Sequence, residues 1–175
     1  MMRAYALTAD QNGRFEEAAA GYEASLLSDP ADLEATVNLA VLYWQAAGHA
    51  GCAPGLSCEF LSYASRRLHE LLEPASHPFA DSAEIRFWRK YIEAADSGGR
   101  LEPTECRQLM RERPDYLEPA FVVFSTSAGE EAEAEAMRLL ANYSEQPTAR
   151  GRYVMAIISA ALREQRWRWT AAAAV

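Results

Sequence analysis

The chain has 175 residues, half of them hydrophobic and 24% of them charged. A chain of this length suits one domain, and this composition argues against wholesale disorder. Its net charge of −8 argues against a nucleic-acid binder that depends on phosphate contacts.

The first predicted helix covers residues 2–12, and the stretch Gly13–Tyr43 follows it. The apolar residues of this stretch recur at three- and four-residue spacings, which is the period of one helix face. Asp29-Pro30 divides it into two helices, because proline lacks an amide hydrogen and disfavours helical geometry in the residue before it. Asp32 can then cap the second of these helices. The apolar residues are Phe15, Ala18, Ala19, Tyr22 and Leu26, followed by Ala35, Leu39, Ala40 and Tyr43.

This stretch resembles the tetratricopeptide repeat (TPR) family, whose period of 34 residues carries small and aromatic residues at set offsets and a proline at its end. The matching residues are Ala18, Tyr22 and Pro30 in the second helix of one repeat, and Leu39, Ala40 and Tyr43 in the first helix of the next. Thr36 departs from the pattern, since the family often has tryptophan there. An unrelated helical hairpin with the same alternation of small and large residues predicts nearly the same local structure.

After Tyr43 the sequence departs from the repeat. The residues from Gly48 to Cys58 include three glycines and a proline, and they are predicted to form an inserted loop. A helix is predicted to resume near Ser57 and to run to about Leu72. Long loops in compact domains are often functional, so this insertion is a candidate site.

The later hairpins match the family less well. A third hairpin is predicted to begin at Asp81-Ser82, where Trp88 occupies a position that is small in the family. The turn Asp96–Gly99 connects it to a short helix that begins at Pro103 and ends at Arg113-Pro114.

A fourth hairpin is predicted from two capping patterns. Asp115 and Glu118 are spaced as a capping box for a helix over 116–126. Ser127 and Glu130 repeat the pattern for the helix that follows.

Together these elements predict an all-α protein. The resemblance implies a right-handed stack of antiparallel helical hairpins (a TPR-like α-solenoid) over residues 1–175, with irregular later hairpins. Its parts are the best-matching repeats over 1–47, the inserted loop over 48–57, the degenerate hairpins over 58–147, and a C-terminal helix over 148–167 that Thr148 caps.

The resemblance also implies a peptide-binding groove, because in this family the first helices of successive hairpins line a concave surface that binds peptides. On this register the groove residues are Arg3, Asn38, Val41, Trp44, Arg86 and Arg89, with Val37 beside them. We therefore expect a non-catalytic scaffold or adaptor that binds a protein or peptide partner, and not an enzyme.

Some members of the family hold a terminal carboxylate in this groove with basic residues and asparagines. Arg3, Asn38 and Arg86 fall on such positions, and arginine and asparagine can hold a carboxylate by directed hydrogen bonds. Leu7 stands where a further asparagine is expected, so the carboxylate site is incomplete. Solvent exposure, or pairing with Glu34 or Glu84, is the alternative explanation for Arg86 and Arg89.

The inserted loop carries His49, Cys52 and Cys58, residue types that bind zinc or act as nucleophiles. Their spacing matches no zinc finger or ribbon, and a nucleophilic cysteine needs a neighbour that lowers its pKa. We expect no metal and no cofactor. A metal- or thiol-dependent activity of this loop is the alternative function.

The sequence gives no sign of a membrane segment or a signal peptide. No apolar run approaches the roughly 18 residues that a spanning helix needs, and the N-terminus lacks a long hydrophobic core. We expect a cytoplasmic protein without nucleic-acid or membrane partners. Its alanine-rich composition and its single lysine, Lys90, indicate a bacterial source. No polar capping helix precedes the first helix, although the ends of a solenoid usually need one. A homo-oligomer through this helix and a longer array of which this chain is a fragment are both open alternatives.

Overall fold

The computed structural model describes residues 2–48, 55–73, 82–145 and 147–172, and within these ranges it contains helices and turns but no strand. The helices are α1 (Met2–Gln11), α2 (Phe15–Ser28), α3 (Leu33–Gly48), α4 (Cys58–Leu72), α5 (Ala83–Asp96), α6 (Pro103–Glu112), α7 (Pro119–Thr126), α8 (Glu133–Glu145) and α9 (Ala149–Ala172). The prediction of an all-α protein is confirmed. None of the described helices is both long enough and apolar enough to cross a membrane.

The chain separates into two compact units. The first contains Met1–Gly99 together with Pro147–Arg150, and the second contains Arg100–Gln146 together with Gly151–Val175. Helix α9 therefore begins in the first unit and continues in the second. The boundary near residue 99 is not marked in the sequence, where the turn before it looks like an ordinary connection between helices.

Helices α1 and α2 of the first unit approach each other closely because the residues between them are small. A Cβ atom added to Gly21 would lie 2.9 Å from the Cβ and 3.0 Å from the Cα of Ala6. Ala9 and Ala18 are also fully buried. Small residues on these helices therefore set the distance between them.

Helix α3 is the most deeply buried helix of the first unit. Helices α2, α4 and α5 pack against it, and eleven of its 16 residues are buried. The Asp32 carboxylate accepts a hydrogen bond of 3.0 Å from the Ala35 amide, which confirms the predicted cap. With neighbours on several sides, α3 has little surface left to offer a partner.

Serine residues cap the next two helices of the first unit. The Ser57 hydroxyl oxygen accepts a hydrogen bond of 3.2 Å from the Phe60 amide in α4. The Ser82 hydroxyl oxygen does the same for Ile85 in α5, over 3.1 Å. The predicted start of a helix near Ser57 and its end at Leu72 are confirmed.

Trp88 of α5 is fully buried, although its size departs from the repeat pattern. Its ring packs edge-on against Phe87 and Tyr91, at centroid distances of 5.4 and 5.6 Å. The first unit thus accommodates the large side chain with an aromatic cluster instead of a close helix contact.

In the second unit, the capping box predicted from Asp115 and Glu118 is wrong. Helix α7 begins only at Pro119, a residue that suits the first helical position because its missing N–H has no partner to lose there. Glu118 is buried, and its carboxylate accepts hydrogen bonds from the hydroxyls of Tyr116 (2.6 Å) and Tyr143. The glutamate therefore joins α8 to the start of α7 instead of capping a helix.

The turn before α8 is also longer than the capping pattern predicts. The Ser127 hydroxyl oxygen accepts a hydrogen bond of 2.9 Å from the Glu131 amide, one residue beyond the expected partner Glu130. Ala128 and Ala132 have positive φ angles of 54° and 56°, which interrupt helical geometry. Helix α8 consequently begins at Glu133.

Candidate binding surface

Arg3, the first residue of the predicted groove, links the starts of α1 and α3. Its guanidinium lies 3.6 Å from the Asp32 carboxylate and forms a hydrogen-bonded ion pair with Glu34. Two carboxylates therefore already balance the charge of Arg3 within the chain, and they compete with any carboxylate that a partner could offer.

Asn38, Val41 and Trp44 are buried on α3, with exposed fractions of 1%, 0% and 3%. Val37 beside them is buried as well. The repeat register predicts that these side chains lie on an open groove, but α2, α4 and α5 pack against α3. They therefore stabilise the interior of the first unit, and they are closed to a partner in this structure.

The buried polar group of Trp44 has a partner inside the first unit. The indole Nε1–H donates a hydrogen bond of 2.8 Å to the Asp96 carboxylate at the end of α5. The ring also packs edge-on against Tyr91, with 6.0 Å between centroids. Trp44 thus joins α3 to α5.

The two predicted groove arginines of α5 are half-buried. Arg89 lies 4.0 Å from the Glu93 carboxylate one turn further along the helix. The sequence predicted Glu34 or Glu84 as the alternative partners of these arginines, whereas the partner of Arg89 here is Glu93. Since Arg3 is engaged with carboxylates and Asn38 is buried, the three residues of the predicted carboxylate site do not form an open anion site here.

A cleft of about 400 Å³ lies between the ends of α4 and α5 and includes Arg89. Its residues are Leu68, His69, Leu72, Glu73, Arg89, Ile92, Glu93, Asp96 and Ser97. Among these described lining residues, three carboxylates stand against one arginine. The cleft is therefore acidic, which does not suit the acidic peptide that a carboxylate site would bind.

Side chains from α1 and α3 hold both main-chain groups of Ala149. The Asp10 carboxylate accepts a hydrogen bond of 2.5 Å from the Ala149 N–H. The Gln45 side-chain amide donates a hydrogen bond of 3.0 Å to the Ala149 carbonyl. Ala149 belongs to the same compact unit as α1 and α3 and is fully buried. These two first helices of the predicted hairpins therefore bind a short segment, Pro147–Arg150, of the chain itself.

The Asp10 carboxylate also binds Tyr22 of α2. The tyrosine hydroxyl donates a hydrogen bond of 3.1 Å to Asp10, and both residues are buried. Burial raises the pKa of Tyr22 far above its usual value, and the charge of Asp10 raises it further, whereas Arg150 and Asn38 act in the opposite direction. The hydroxyl therefore stays protonated and remains a donor to Asp10.

Neither Asp10 nor Gln45 was among the predicted site residues, although the sequence carries one signal for Asp10. Asp10 follows Ala6 and Ala9 at helical spacing and so lies on the apolar side of α1. A carboxylate on such a side needs a hydrogen-bond partner, because burying it alone is costly. No local pattern, however, could name a partner 139 positions further along the chain.

A second polar cluster joins α2 to α3 and α4. The Glu23 carboxylate accepts hydrogen bonds from the Arg67 guanidinium over 2.9 and 3.2 Å, and from the hydroxyls of Tyr43 (3.2 Å) and Tyr63 (3.4 Å). Hydrogen bonding to Glu23 raises the pKa of Arg67 above its usual value. The cluster is fully explained by its role in holding these helices together.

The residues of the alternative metal or thiol site are only partly described. Cys58 is a free, exposed thiol at the start of α4, whereas His49 and Cys52 lie outside the described residues. Cys106 of α6 is buried. In the part of the chain that the structure describes, no group of three or more metal-binding side chains comes together.

Comparison with known proteins returned no relative: no family model, no curated protein and no solved structure matches this chain.

Proposed function

We propose that this chain is a non-catalytic scaffold that binds a segment of a protein partner on the inner surface of stacked, TPR-like helical hairpins. In this proposal Asp10 of α1 and Gln45 of α3 contact the partner once it takes the place of Ala149, which both side chains hold in this structure. The observation that carries this proposal is that these two side chains hold both main-chain groups of Ala149.

Contacts of this kind suit a peptide-binding surface. Every residue of a peptide except proline offers one N–H donor and one C=O acceptor. A surface that accepts a hydrogen bond from the N–H and donates one to the C=O gains affinity from any peptide main chain. It can obtain specificity from the neighbouring side chains. Asp10 of α1 and Gln45 of α3 supply such an acceptor and such a donor.

Links between alternate helices support the proposed stack. Arg3 joins α1 to α3 through Asp32 and Glu34. On the second helices, Glu23 of α2 binds Arg67 of α4. In a solenoid of hairpins each repeat packs on its neighbour, and these ion pairs join corresponding helices of the first two hairpins.

The residues just before α4 add a further hydrogen-bonded link between α2 and α4. The Glu16 carboxylate of α2 accepts hydrogen bonds from the amide and the hydroxyl of Ser57, both over 2.9 Å. Because the first of these contacts uses the main chain, it fixes the start of α4 against α2 despite the insertion that precedes it.

Selection from a random-peptide display library, with the full chain as the target, tests this proposal. We expect enriched peptides with a shared sequence that bind the purified chain in solution. Their binding should slow hydrogen exchange in the amides at the ends of α1 and α3, near Asp10 and Gln45. A scrambled copy of each peptide is the control. If no peptide is enriched, or if all protection falls in the second unit, the proposal is wrong.

A further inference from the structure

Near its end, helix α9 carries an exposed basic stripe. Its residues recur at spacings of three and four and therefore share one face of the helix: Arg163, Arg166, Trp167 and Thr170. All four are exposed. Glu164 pairs over 2.8 Å with Arg168, so these two charges balance each other. The basic stripe keeps the two positive charges of Arg163 and Arg166.

Trp167 is the apolar member of the basic stripe, and 70% of it is exposed. A single exposed apolar residue is ordinary on a protein surface. A tryptophan beside arginines is more informative, because both residue types are enriched where proteins bind one another and among the residues that carry most of the binding energy. The stripe therefore has the composition of an interface, and the described part of the chain leaves it open.

The acidic cleft, which is the cavity of about 400 Å³ between the ends of α4 and α5, lies within the first unit. Its volume falls in the range of protein binding sites, roughly 300–1,000 Å³. The buried part of its lining is aliphatic and consists of Leu68, Leu72 and Ile92. The exposed part carries the carboxylates of Glu73, Glu93 and Asp96. The cleft thus combines an apolar floor with an acidic rim.

The contacts inside the acidic cleft do not exhaust its rim. Asp96 accepts the Trp44 indole N–H over 2.8 Å, and Arg89 lies 4.0 Å from Glu93. A carboxylate has about four acceptor positions, so each of these groups can bind a further donor. With His69 counted as neutral, three carboxylates against one guanidinium leave an excess of two negative charges in the lining.

The basic stripe and the acidic cleft are complementary in charge and in polarity. Two positive charges match two excess negative charges, and the indole ring matches the aliphatic floor. Such complementarity steers association and fixes the register of an interface. Because Trp167 is largely exposed, it is available to the cleft of another copy.

We propose that the basic stripe of one copy of this chain docks in the acidic cleft of a second copy. The Trp167 ring contacts the aliphatic floor, and Arg163 and Arg166 lie beside the rim carboxylates. This contact goes beyond the proposed function, since it uses neither Asp10 nor Gln45. Each copy presents one stripe and one cleft, which allows a reciprocal pair, a closed ring or an open chain of copies.

The size of the contact predicts weak association. A buried aromatic side chain contributes about 150–250 Å², and the two arginines add to it. This is less than the roughly 800 Å² per partner of a stable interface, so one such contact assembles copies only at high concentration. The charges make the contact sensitive to salt as well.

Sedimentation velocity of the full chain tests the proposal over concentrations from about 10 μM to about 1 mM, a range that covers weak dissociation constants. At low salt the average mass should rise with concentration above the 19.4 kDa of one chain. Salt at about 1 M, where the Debye length is about 3 Å, should weaken the association.

Trp167→Ala should weaken self-association at least about tenfold, because truncation of a central tryptophan commonly has an effect of this size. Leu27→Gln is the matched control: it removes an apolar side chain of α2 that is 86% exposed, and it should associate as the wild type does. Both residues are exposed, and circular dichroism establishes that each variant retains its helices.

Two charge-reversed chains test which surfaces meet. The first carries Arg163→Glu and Arg166→Glu in the stripe, and the second carries Glu73→Lys and Glu93→Lys in the cleft. Each alone should stay monomeric, because its stripe and its cleft now have the same sign of charge. An equal mixture should associate, because the unchanged stripe of the second chain fits the unchanged cleft of the first.

The proposed contact is ruled out if the wild-type chain keeps the mass of one copy at every concentration, or if Trp167→Ala associates as strongly as the wild type. It is also ruled out if the two charge-reversed chains retain their helices but do not associate when mixed. Binding to anionic lipid vesicles that depends on Trp167, in a chain that stays monomeric, would assign the stripe to a membrane surface and exclude a second copy. None of these outcomes affects the peptides expected near Asp10, so the proposed function is tested separately.

Discussion

The Tyr22 hydroxyl of α2 donates a hydrogen bond of 3.1 Å to Oδ2 of Asp10 in α1, while Oδ1 of the same carboxylate accepts the Ala149 N–H. Asp10 is 1% exposed. A buried carboxylate is tolerated only when hydrogen bonds or opposite charges compensate for its lost hydration. Each of its donors therefore contributes to the stability of the first unit.

Replacing Tyr22 by phenylalanine removes one of these donors and keeps the ring. Because the carboxylate stays buried, Tyr22→Phe should lower the free energy of unfolding by about 1–3 kcal/mol. Urea unfolding followed by circular dichroism measures this loss. Tyr5→Phe is the control: Tyr5 also donates to a carboxylate, Glu17 over 2.9 Å, but on the exposed face of α1. Equal losses in the two variants would show that burial of Asp10 does not matter.

Gly21→Ala should destabilise the chain although alanine is the better helix former. The new methyl group would lie 2.9 Å from the Cβ and 3.0 Å from the backbone of Ala6, which cannot move without shifting α1. Overpacking of this kind costs about 1–3 kcal/mol and exceeds the gain in helix propensity, about 1 kcal/mol. Thermal unfolding would measure the difference.

Gly48→Ala is the matched control for Gly21→Ala. Gly48 ends α3, and among the described residues the nearest atom to an added Cβ is the indole nitrogen of Trp44, 4.0 Å away. This variant should be as stable as the wild type or slightly more stable. A Gly21→Ala chain that unfolds no more easily than Gly48→Ala would mean that α1 and α2 are not in close contact.

Local features of the fold could be predicted from the sequence because their causes are local. Asp32 and Ser57 were expected at helix starts, and both cap helices in the structure. Capping depends on an oxygen within three residues of an amide, which a sequence displays directly. The capping box at Glu118 failed because its carboxylate binds two tyrosine hydroxyls instead, one of them from Tyr143 in α8.

The candidate surface could not be predicted, because it depends on contacts between distant parts of the chain. The register placed Trp44 on an open groove, whereas Asp96 and Tyr91 of α5 enclose it. Periodicity indicates which residues share a helix face but not how many neighbours that helix has. Asp10 and Gln45 form their hydrogen bonds with Ala149 only because the fold brings together parts of the chain that are far apart in sequence.

The Glu23–Arg67 pair should be worth more than an exposed ion pair. Its side chains are 21% and 28% exposed, and two hydrogen bonds join them. A double-mutant cycle with Glu23→Gln and Arg67→Gln should give a coupling energy of about 1 kcal/mol. The control cycle uses Arg107 and Glu131 of the second unit, which also share two hydrogen bonds but are more exposed.

For this exposed control pair we expect about 0.5 kcal/mol or less, because solvent screens its charges. Urea unfolding of the single and double variants measures both cycles. A coupling energy for Glu23 and Arg67 no larger than that of the control would show that the pair is not a stabilising link between α2 and α4.

Alkaline pH should destabilise the chain through two of its buried tyrosines, Tyr22 and Tyr43. Burial raises the pKa of Tyr43 well above its usual value, and the Glu23 carboxylate raises it further; burial and Asp10 raise the pKa of Tyr22 in the same direction. In the unfolded chain both hydroxyls lose their protons near pH 10, while in the folded chain they keep them. The unfolded state therefore binds fewer protons above pH 10, and stability falls as the pH rises.

Each tyrosine should contribute a loss of about 1.4 kcal/mol per pH unit above pH 10, whereas below that pH its contribution to stability is fully present. Urea unfolding between pH 8 and pH 11 measures the slope. Tyr43→Phe removes one titrating group. The stability of this variant should therefore fall less steeply with pH than that of the wild type, and the difference in slope should equal the contribution of one tyrosine. Identical slopes for the two chains would mean that Tyr43 titrates in the folded chain as it does in the unfolded one, and that neither its burial nor its bond to Glu23 holds the proton.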